Sequence, residues 1–250
     1  MIHSFLLIGQ SNMAGRGFIN EAKEINTERI KILRNGRWQG MYRPINGDRG
    51  YSGVSLAESF AEKYANDHGV DVGLICCADG GTSLNQWQPG GLLYDNAVYQ
   101  ARLASRTSTI AGVLWHQGES DCAPDLYPTY EIRLDKMHRS LRKDLDLYDV
   151  PILLGGLGDF LMECPHDERL KNYQQVNNAL ENVARASHMM GYVSATDLGS
   201  NPDKLHFNAE ALYEFGLRYY KEFDKLRDKN KVFKDKPHPD DALRTSMELL

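Results

Sequence analysis

The fold of this chain can be predicted from residues 5–15, which read Phe5-Leu6-Leu7-Ile8-Gly9-Gln10-Ser11-Asn12-Met13-Ala14-Gly15. A short apolar run that ends in a glycine is typical of a buried strand in a parallel sheet. A serine directly after such a strand lies at the sheet edge where open α/β sheets bind their ligands. Gly9 and Gly15 allow the backbone to turn sharply and to approach a ligand closely. The stretch therefore predicts a parallel sheet with Ser11 at its functional edge.

Ser11 is a candidate nucleophile, although a serine after a strand can also do no more than cap the next helix. Near the other end of the chain, Asp203-Lys204-Leu205-His206 places a carboxylate and an imidazole three residues apart. A serine hydroxyl needs a base to take its proton, and that base works best when a carboxylate orients it. The sequence thus predicts a triad in which Ser11 attacks, His206 transfers the proton and Asp203 orients the imidazole.

Apolar runs and helical repeats alternate along the whole chain. Further strands are predicted at residues 72–77, 110–115, 151–154 and 191–195, and helices at 54–68, 94–106, 126–145, 170–183 and 212–226. This alternation indicates an α/β fold with a parallel sheet of about five strands and helices on both faces, a three-layer α/β/α sandwich. Residues 16–50 are polar, and we interpret them as a long loop that lines one wall of the site.

The length of 250 residues suits one sizeable domain. We assign it to residues 1–228, and residues 229–250, which are charged and show no periodicity, to a polar C-terminal tail. The net charge of −5 argues against a general nucleic-acid-binding surface. No apolar run is long enough to span a membrane. The N-terminus lacks the basic region of a signal peptide, so a cytoplasmic location is expected unless a leader has been removed. Nothing in the sequence indicates an oligomeric state.

Four short blocks occur in a fixed order between residues 4 and 220. They read Gly9-Gln10-Ser11-Asn12-Met13, Ala78-Asp79-Gly80-Gly81-Thr82-Ser83, Trp115-His116-Gln117-Gly118-Glu119-Ser120-Asp121 and Asp203-Lys204-Leu205-His206. With these blocks the sequence resembles the SGNH hydrolases, and within that superfamily the sialate O-acetylesterase and acetylxylan esterase group, carbohydrate esterase family six. The resemblance implies the flavodoxin-like SGNH hydrolase fold. It also implies a serine esterase that removes O-acetyl groups from carbohydrates through an acyl-enzyme, without a metal or other cofactor. The implied partner is an acetylated sugar or oligosaccharide.

The resemblance further implies an oxyanion hole with three donors. They are the backbone N–H groups of Ser11 and Gly80, with Gly81 as the next choice, and the side-chain amide of Gln117 in the place of the asparagine of most SGNH enzymes. Such donors must lie about 2.7–3.1 Å from the developing oxyanion. Gly80 and Gly81 could alternatively form only a tight turn.

Other residues of these blocks are predicted to support the site or to contact the substrate; they are Gln10, Asn12, Gly81, His116 and Glu119. Glu119 is expected to point away from the oxyanion, since a carboxylate would repel it, and to brace the loop. His116 could do the same or touch the substrate. Trp87, Tyr42 and Arg43 could form a wall on which a sugar stacks, although Trp87 fits the core equally well.

Two departures from the usual pattern favour a short acyl group such as acetyl. Gln10 replaces the aspartate of the common Gly-Asp-Ser-Leu block, which favours the acetylesterase group over the lipase-like one. No long apolar flap is present to cover an acyl chain.

Two alternatives remain open at this point. His238-Pro239-Asp240-Asp241 resembles the zinc motif of certain N-deacetylases, but it follows no predicted strand. A sugar-binding domain without catalysis is the other alternative. Neither a Gly-x-Gly-x-x-Gly motif after the first strand nor a phosphate loop occurs, so dinucleotide and ATP binding lack support.

Overall fold

The structure, a computed structural model, describes residues 1–227. Its strands are β1 (Ile2–Gly9), β2 (Ile30–Arg34), β3 (Arg37–Gly40), β4 (Asp71–Cys76), β5 (Thr109–His116), β6 (Ile152–Gly155) and β7 (Met190–Val193). The helices are α1 (Ser11–Ala14), α2 (Leu56–His68), α3 (Leu92–Ala104), α4 (Tyr130–Leu145), α5 (Tyr173–Ala186) and α6 (Ala209–Leu226). The predicted tail, including His238 and its neighbours, lies outside the described residues.

The strands of residues 1–227 form one sheet in the order β3-β2-β4-β1-β5-β6-β7, with only β3 antiparallel to its neighbour. The α/β fold and the five predicted strands are confirmed. β1 lies at the centre of the sheet, paired on both sides, and its interior residues are almost completely buried. The exits of β1, β4 and β5 therefore meet at one edge, because neighbouring parallel strands end on the same side.

The sheet has seven strands, two more than predicted. The prediction that residues 16–50 form a loop was wrong in part. This segment contains the β2–β3 hairpin, which extends the sheet beyond β4. Ile30 and Ile32 are buried and alternate with a partly exposed lysine, as in a half-buried strand. The turn is Asn35-Gly36, where both residues have positive φ, and this dipeptide is a strong hairpin signal.

Helices cover both faces of the sheet. On one face, Phe60 and Tyr64 of α2 and Phe223 of α6 surround Phe5 of β1 with ring centroids 4.8–5.6 Å apart. On the other face, Trp115 of β5 contacts His138 of α4 edge to face. No helix within residues 1–227 is both long enough and apolar enough to cross a membrane.

Candidate active site

The sharp exit of β1 places Ser11 at the sheet edge. Gly9 has a φ of +131°, and a Cβ at this position would lie 2.0 Å from the carbonyl oxygen of His116. Only glycine allows β1 and β5 to end this close together. The N–H of Gln10 then donates to the same carbonyl at 2.8 Å, and α1 begins at Ser11. Ser11 is 6% exposed and lies at the floor of an open cleft.

The structure brings Ser11 together with two side chains from the far end of the chain. His206 Nε2 lies 3.0 Å from Ser11 Oγ, across a sequence separation of 195 residues. On the other side of the ring, His206 Nδ1 lies 2.7 Å from Asp203 Oδ2. A carboxylate accepts the Nδ1 proton, so Nε2 is left as the acceptor for the Ser11 hydroxyl.

Asp203 lies in a tight turn whose backbone N–H groups stabilise its negative charge. Its Oδ1 accepts the backbone N–H groups of Leu205 and His206, each at 3.0 Å. Burial would raise the pKa of Asp203, but these donors and the His206 imidazole outweigh burial and lower the pKa below its ordinary value. The carboxylate therefore stays charged, and can hold the imidazole, at a lower pH than an ordinary aspartate would.

The catalytic cleft, as we call it, has a volume of about 480 Å³. Besides Ser11, Asp203 and His206, it is lined by Gln10, Arg16, Tyr51, Gly80, Gly81, Glu119, Ser120, Cys164, His166, Asp167, Arg169, Leu170 and Leu205. Most of these side chains are polar, which suits a ligand rich in hydroxyl groups. Within residues 1–227, no group of three or more His, Cys, Asp or Glu side chains is placed to hold a metal ion.

Gly80 lies beside Ser11, but its N–H is already engaged. It donates to Asp48 Oδ2 at 2.8 Å, and a Cβ on Gly80 would lie 2.5 Å from Arg16 Nη2. Asp48 is buried and forms a two-pronged ion pair with Arg16, at 2.6 and 3.1 Å. Burial would raise the pKa of Asp48, yet its hydrogen bonds to Arg16 and Ser52 lower it overall. The geometry therefore does not support Gly80 as an oxyanion donor.

Gly81 is in a different position. It is exposed at the catalytic cleft with a φ of +76°, and its N–H has no partner within residues 1–227. The N–H of Ser11 is also without a partner there, as is usual for the first N–H groups of a helix.

The prediction that Gln117 faces the oxyanion is also not supported. Gln117 is fully buried, and its Nε2 donates to Asp121 Oδ2 at 2.7 Å and to the Thr82 carbonyl at 3.1 Å. Its Oε1 accepts the hydroxyl of Tyr130 at 3.1 Å. Both ends of the amide are thus used inside the protein, and Gln117 does not line the cleft. It fixes the Thr82 loop instead.

Gln10, rather than Gln117, directs its side-chain NH₂ group at the catalytic cleft. Its Oε1 is turned inward and lies 3.2 Å from Gln117 Nε2 and 3.4 Å from the N–H groups of Gly118 and Ser120. Its Nε2 has no partner within the described chain, and Gln10 lines the catalytic cleft. Since the amide is planar, an inward oxygen leaves the nitrogen directed at the cleft.

Asn12, Glu119 and His116 connect the loops behind the cleft. Asn12 Nδ2 donates to Glu119 Oε1 at 2.5 Å, and Asn12 Oδ1 accepts the N–H of Phe207 at 3.1 Å. Asn12 therefore ties the Ser11 turn to the residues that follow His206. His116 is fully buried with Nε2 against the Gly156 carbonyl at 3.1 Å, so it does not reach a substrate. Glu119 is 5% exposed at the edge of the cleft.

The predicted sugar-stacking wall is wrong. Trp87 is 1% exposed because it packs edge to face on Trp115 and donates to Thr82 Oγ1 at 3.0 Å. Tyr42 stacks on Arg34, and Arg43 pairs with Glu58 at 2.7 Å. Neither lines the cleft.

Sequence reasoning missed Tyr51, Arg16 and Asp48. Tyr51 is the aromatic residue that does line the cleft, and it is 72% exposed. These residues lie in or beside the segment interpreted as a wall. The turn residues around Asp48 and Gly50 were the available signal.

Comparison with known proteins gives consistent matches. A family model described as carbohydrate esterase, sialic acid-specific acetylesterase, matches residues 1–225. A probable carbohydrate esterase of Arabidopsis thaliana is 28% identical over 244 residues, which cover 85% of this chain and 86% of that protein. A solved structure of an Arabidopsis thaliana protein superposes with a TM-score of 0.76 at 27% identity, covering 89% of this chain and 98% of the other. NanS superposes with a TM-score of 0.70 at 17% identity, covering 90% and 97%, which shows a shared fold.

Proposed function

The chain belongs to the family of carbohydrate esterases described as sialic acid-specific acetylesterases, and is thus a carboxylic ester hydrolase, so we propose that it removes O-acetyl groups from carbohydrates through Ser11, His206 and Asp203. The observation that carries the proposal is the unbroken line of contacts from Ser11 Oγ through the imidazole to Asp203, at 3.0 and 2.7 Å. This line of contacts lies at the floor of an open cleft whose lining residues are mostly polar.

In the first half of the reaction, Ser11 Oγ attacks the acetyl carbonyl carbon and His206 Nε2 takes the hydroxyl proton. Asp203 stabilises the imidazolium that forms. The tetrahedral intermediate collapses when the bond to the sugar oxygen breaks, and His206 returns its proton to that oxygen. The deacetylated sugar leaves, and the acetyl group remains on Ser11 as an ester.

In the second half, a water molecule replaces the sugar hydroxyl. His206 takes a proton from the water as its oxygen attacks the acetyl-Ser11 carbonyl. The second tetrahedral intermediate collapses, acetate leaves, and His206 returns the proton to Ser11 Oγ. The enzyme is then ready for another substrate.

We assign the oxyanion donors to Ser11, Gly81 and Gln10. The first two supply backbone N–H groups that have no partner within the described residues. The third supplies its side-chain Nε2, whose direction is fixed because the backbone N–H groups of Gly118 and Ser120 both donate to its Oε1. Donors that are already oriented lose no energy to reorganisation when the charge develops.

The variant Gln10→Glu tests whether Gln10 donates to the oxyanion or only holds the neighbouring loop in place. The carboxylate keeps an acceptor for the N–H groups of Gly118 and Ser120, but it has no donor for the oxyanion. We expect kcat for p-nitrophenyl acetate to fall by about 10²–10³-fold, with a much smaller change in KM. Gln10→Met should also be slow, which would exclude repulsion by the new charge as the cause.

The matched control is Gln175→Glu, which makes the same change on an exposed face of α5. It should retain wild-type kcat. A Gln10→Glu enzyme with unchanged melting temperature and nearly wild-type kcat would contradict the assignment of Gln10.

The proposed substrate class is tested by acyl length and then by sugar. We expect kcat/KM to fall at least about tenfold from p-nitrophenyl acetate to the octanoate, because charged side chains such as those of Arg16, Glu119 and Asp203 line the cleft and would lose contact with water against extra methylene groups. Acetate release should then be measured from acetylated xylo-oligosaccharides and from O-acetylated sialic acid. A preference for octanoate, or no release from any acetylated sugar, would refute the proposal.

A further inference from the structure

A second depression adjoins the catalytic cleft. It has a volume of about 840 Å³, and we call it the side cleft. Its lining includes Phe18, Ile19, Tyr51, Asn201, Asp203 and His206. Arg16, Tyr51, Asp203 and His206 line both clefts, whereas Ser11 lines only the catalytic one. The two clefts therefore meet at the imidazole.

The side cleft has an unusually apolar rim for a surface feature. Phe18 is 46% exposed, Ile19 is 47% exposed and Tyr51 is 72% exposed. The Arg16 guanidinium lies 5.2 Å from the centroid of the Tyr51 ring, and Arg16 is itself fixed by its ion pair with Asp48. This contact restrains the ring although most of it faces solvent. A flat, restrained aromatic face suits the C–H face of a pyranose ring.

The wall of the side cleft also holds a polar group that lacks a partner. Asn201 is 5% exposed, and its Nδ2 donates to the Arg16 carbonyl at 2.9 Å. Its Oδ1 is buried and has no hydrogen-bond partner within residues 1–227. Buried acceptors are almost always paired, so an unpaired one that borders a cleft indicates a donor supplied by a ligand. A sugar hydroxyl is such a donor.

The side cleft lies on the side of His206 from which the sugar alcohol is expected to leave. In the proposed reaction, His206 returns its proton to the sugar oxygen, so the sugar approaches from the side of the imidazole. Groups attached to that sugar and extending past His206 would enter the side cleft.

We propose that the side cleft binds the pyranose ring next to the acetylated one, so that the preferred substrate is an oligosaccharide. This inference rests on the proposed function. Tyr51 supplies the stacking face, and Asn201 Oδ1, which is closed to solvent in the structure, accepts a ring hydroxyl once the wall of the side cleft shifts to expose it. The acetylated ring itself occupies the catalytic cleft.

The test compares two substrates that differ in length only, monoacetylated methyl xyloside and monoacetylated xylotriose. We expect the wild-type enzyme to favour the trisaccharide in kcat/KM by about tenfold or more. Tyr51→Ala should reduce the ratio of the two values to near one, and Tyr51→Phe should restore it because the ring is kept. Tyr99→Ala is the matched control, since Tyr99 is 63% exposed on α3 and lines neither cleft.

Binding provides a readout that does not depend on catalysis. Unacetylated xylotriose should bind Ser11→Ala about tenfold more tightly than it binds the double variant Ser11→Ala/Tyr51→Ala, as measured by calorimetry. The inference alone is overturned if the enzyme cleaves both acetylated sugars without a length preference. It is also overturned if Tyr51→Ala slows both substrates equally. Cleavage of neither sugar would also overturn the inference, and a failure to cleave O-acetylated sialic acid as well would refute the proposed function.

Discussion

Ser11→Ala is expected to lower kcat for p-nitrophenyl acetate by about 10⁴-fold or more. The variant loses the only oxygen within 3.0 Å of His206 Nε2 in the described chain, so no acetyl-enzyme can form at this position. Ser11 is 6% exposed, and removing one hydroxyl leaves the backbone N–H of residue 11 in place. The variant should therefore fold normally and still bind substrate. Steady-state kinetics together with thermal unfolding would measure both properties.

Ser194→Ala is a suitable control for the serine change, because Ser194 is exposed and lines neither cleft. It should retain wild-type kcat. Mass spectrometry after rapid quenching should show an acetyl group on Ser11 of the wild type and none on the variant. Residual activity of Ser11→Ala within about 100-fold of the wild type would show that another nucleophile performs the reaction.

Asp203→Asn is expected to lower kcat by about 10³–10⁴-fold with little loss of stability. Asp203 Oδ2 accepts the proton on His206 Nδ1 at 2.7 Å, while Oδ1 accepts two backbone N–H groups. An asparagine can keep the two backbone contacts with its oxygen. Its NH₂ group would then face Nδ1, which moves the ring proton to Nε2, and Nε2 could no longer accept the Ser11 proton.

The pH dependence of kcat provides a second test of the role of Asp203. The pKa of Asp203 lies below its ordinary value, so the wild-type carboxylate stays charged as the pH falls through the mildly acidic range. Loss of activity on acidification should therefore not arise from Asp203. Asp197→Asn, an exposed aspartate in the neighbouring loop, is the matched control and should retain wild-type kcat. Wild-type kinetics in Asp203→Asn would rule out its role as the orienting carboxylate.

The parts of the structure that could be predicted are those with a local signal. Each of the five predicted strands is a short apolar run, and each packs against helices whose periodicity is also visible in the sequence. The positions of Ser11, Asp203 and His206 follow from two short motifs. Their convergence follows from the rule that parallel strands end at one edge. No knowledge of distant contacts was needed for either step.

The β2–β3 hairpin was missed because its signal is weak. β3 has no fully buried residue, and its sequence Arg37-Trp38-Gln39-Gly40 has little apolar character. An edge strand of this kind is identified by its partner and its turn rather than by its own composition. Asn35-Gly36 was the part of the signal that could have been used.

Ser11 was predicted as an oxyanion donor and Gly81 as the next choice, but the engagement of Gly80 and Gln117 could not be predicted, because it depends on atoms far away in the sequence. The Gly80 N–H is taken by Asp48, which precedes it by 32 residues. Gln10 and Gln117 both lie in recognisable blocks and contact each other, but only one amide is turned to the cleft. Which one faces outward is decided by Asp121 and Thr82, whose acceptors hold the Gln117 amide inside.

The division of the active site between the two ends of the chain has a consequence during protein synthesis. In the proposed mechanism the nucleophile directly follows the first strand, whereas its base lies 195 residues later. The turn that carries the base leads into α6, which packs on α2 where Gly216 lets the two helices meet closely at Leu56. A growing chain on the ribosome therefore carries Ser11 as an ordinary alcohol for most of its synthesis. If the proposed mechanism holds, ester cleavage begins only when translation has passed His206, so the activity of a nascent chain would report the completion of the domain.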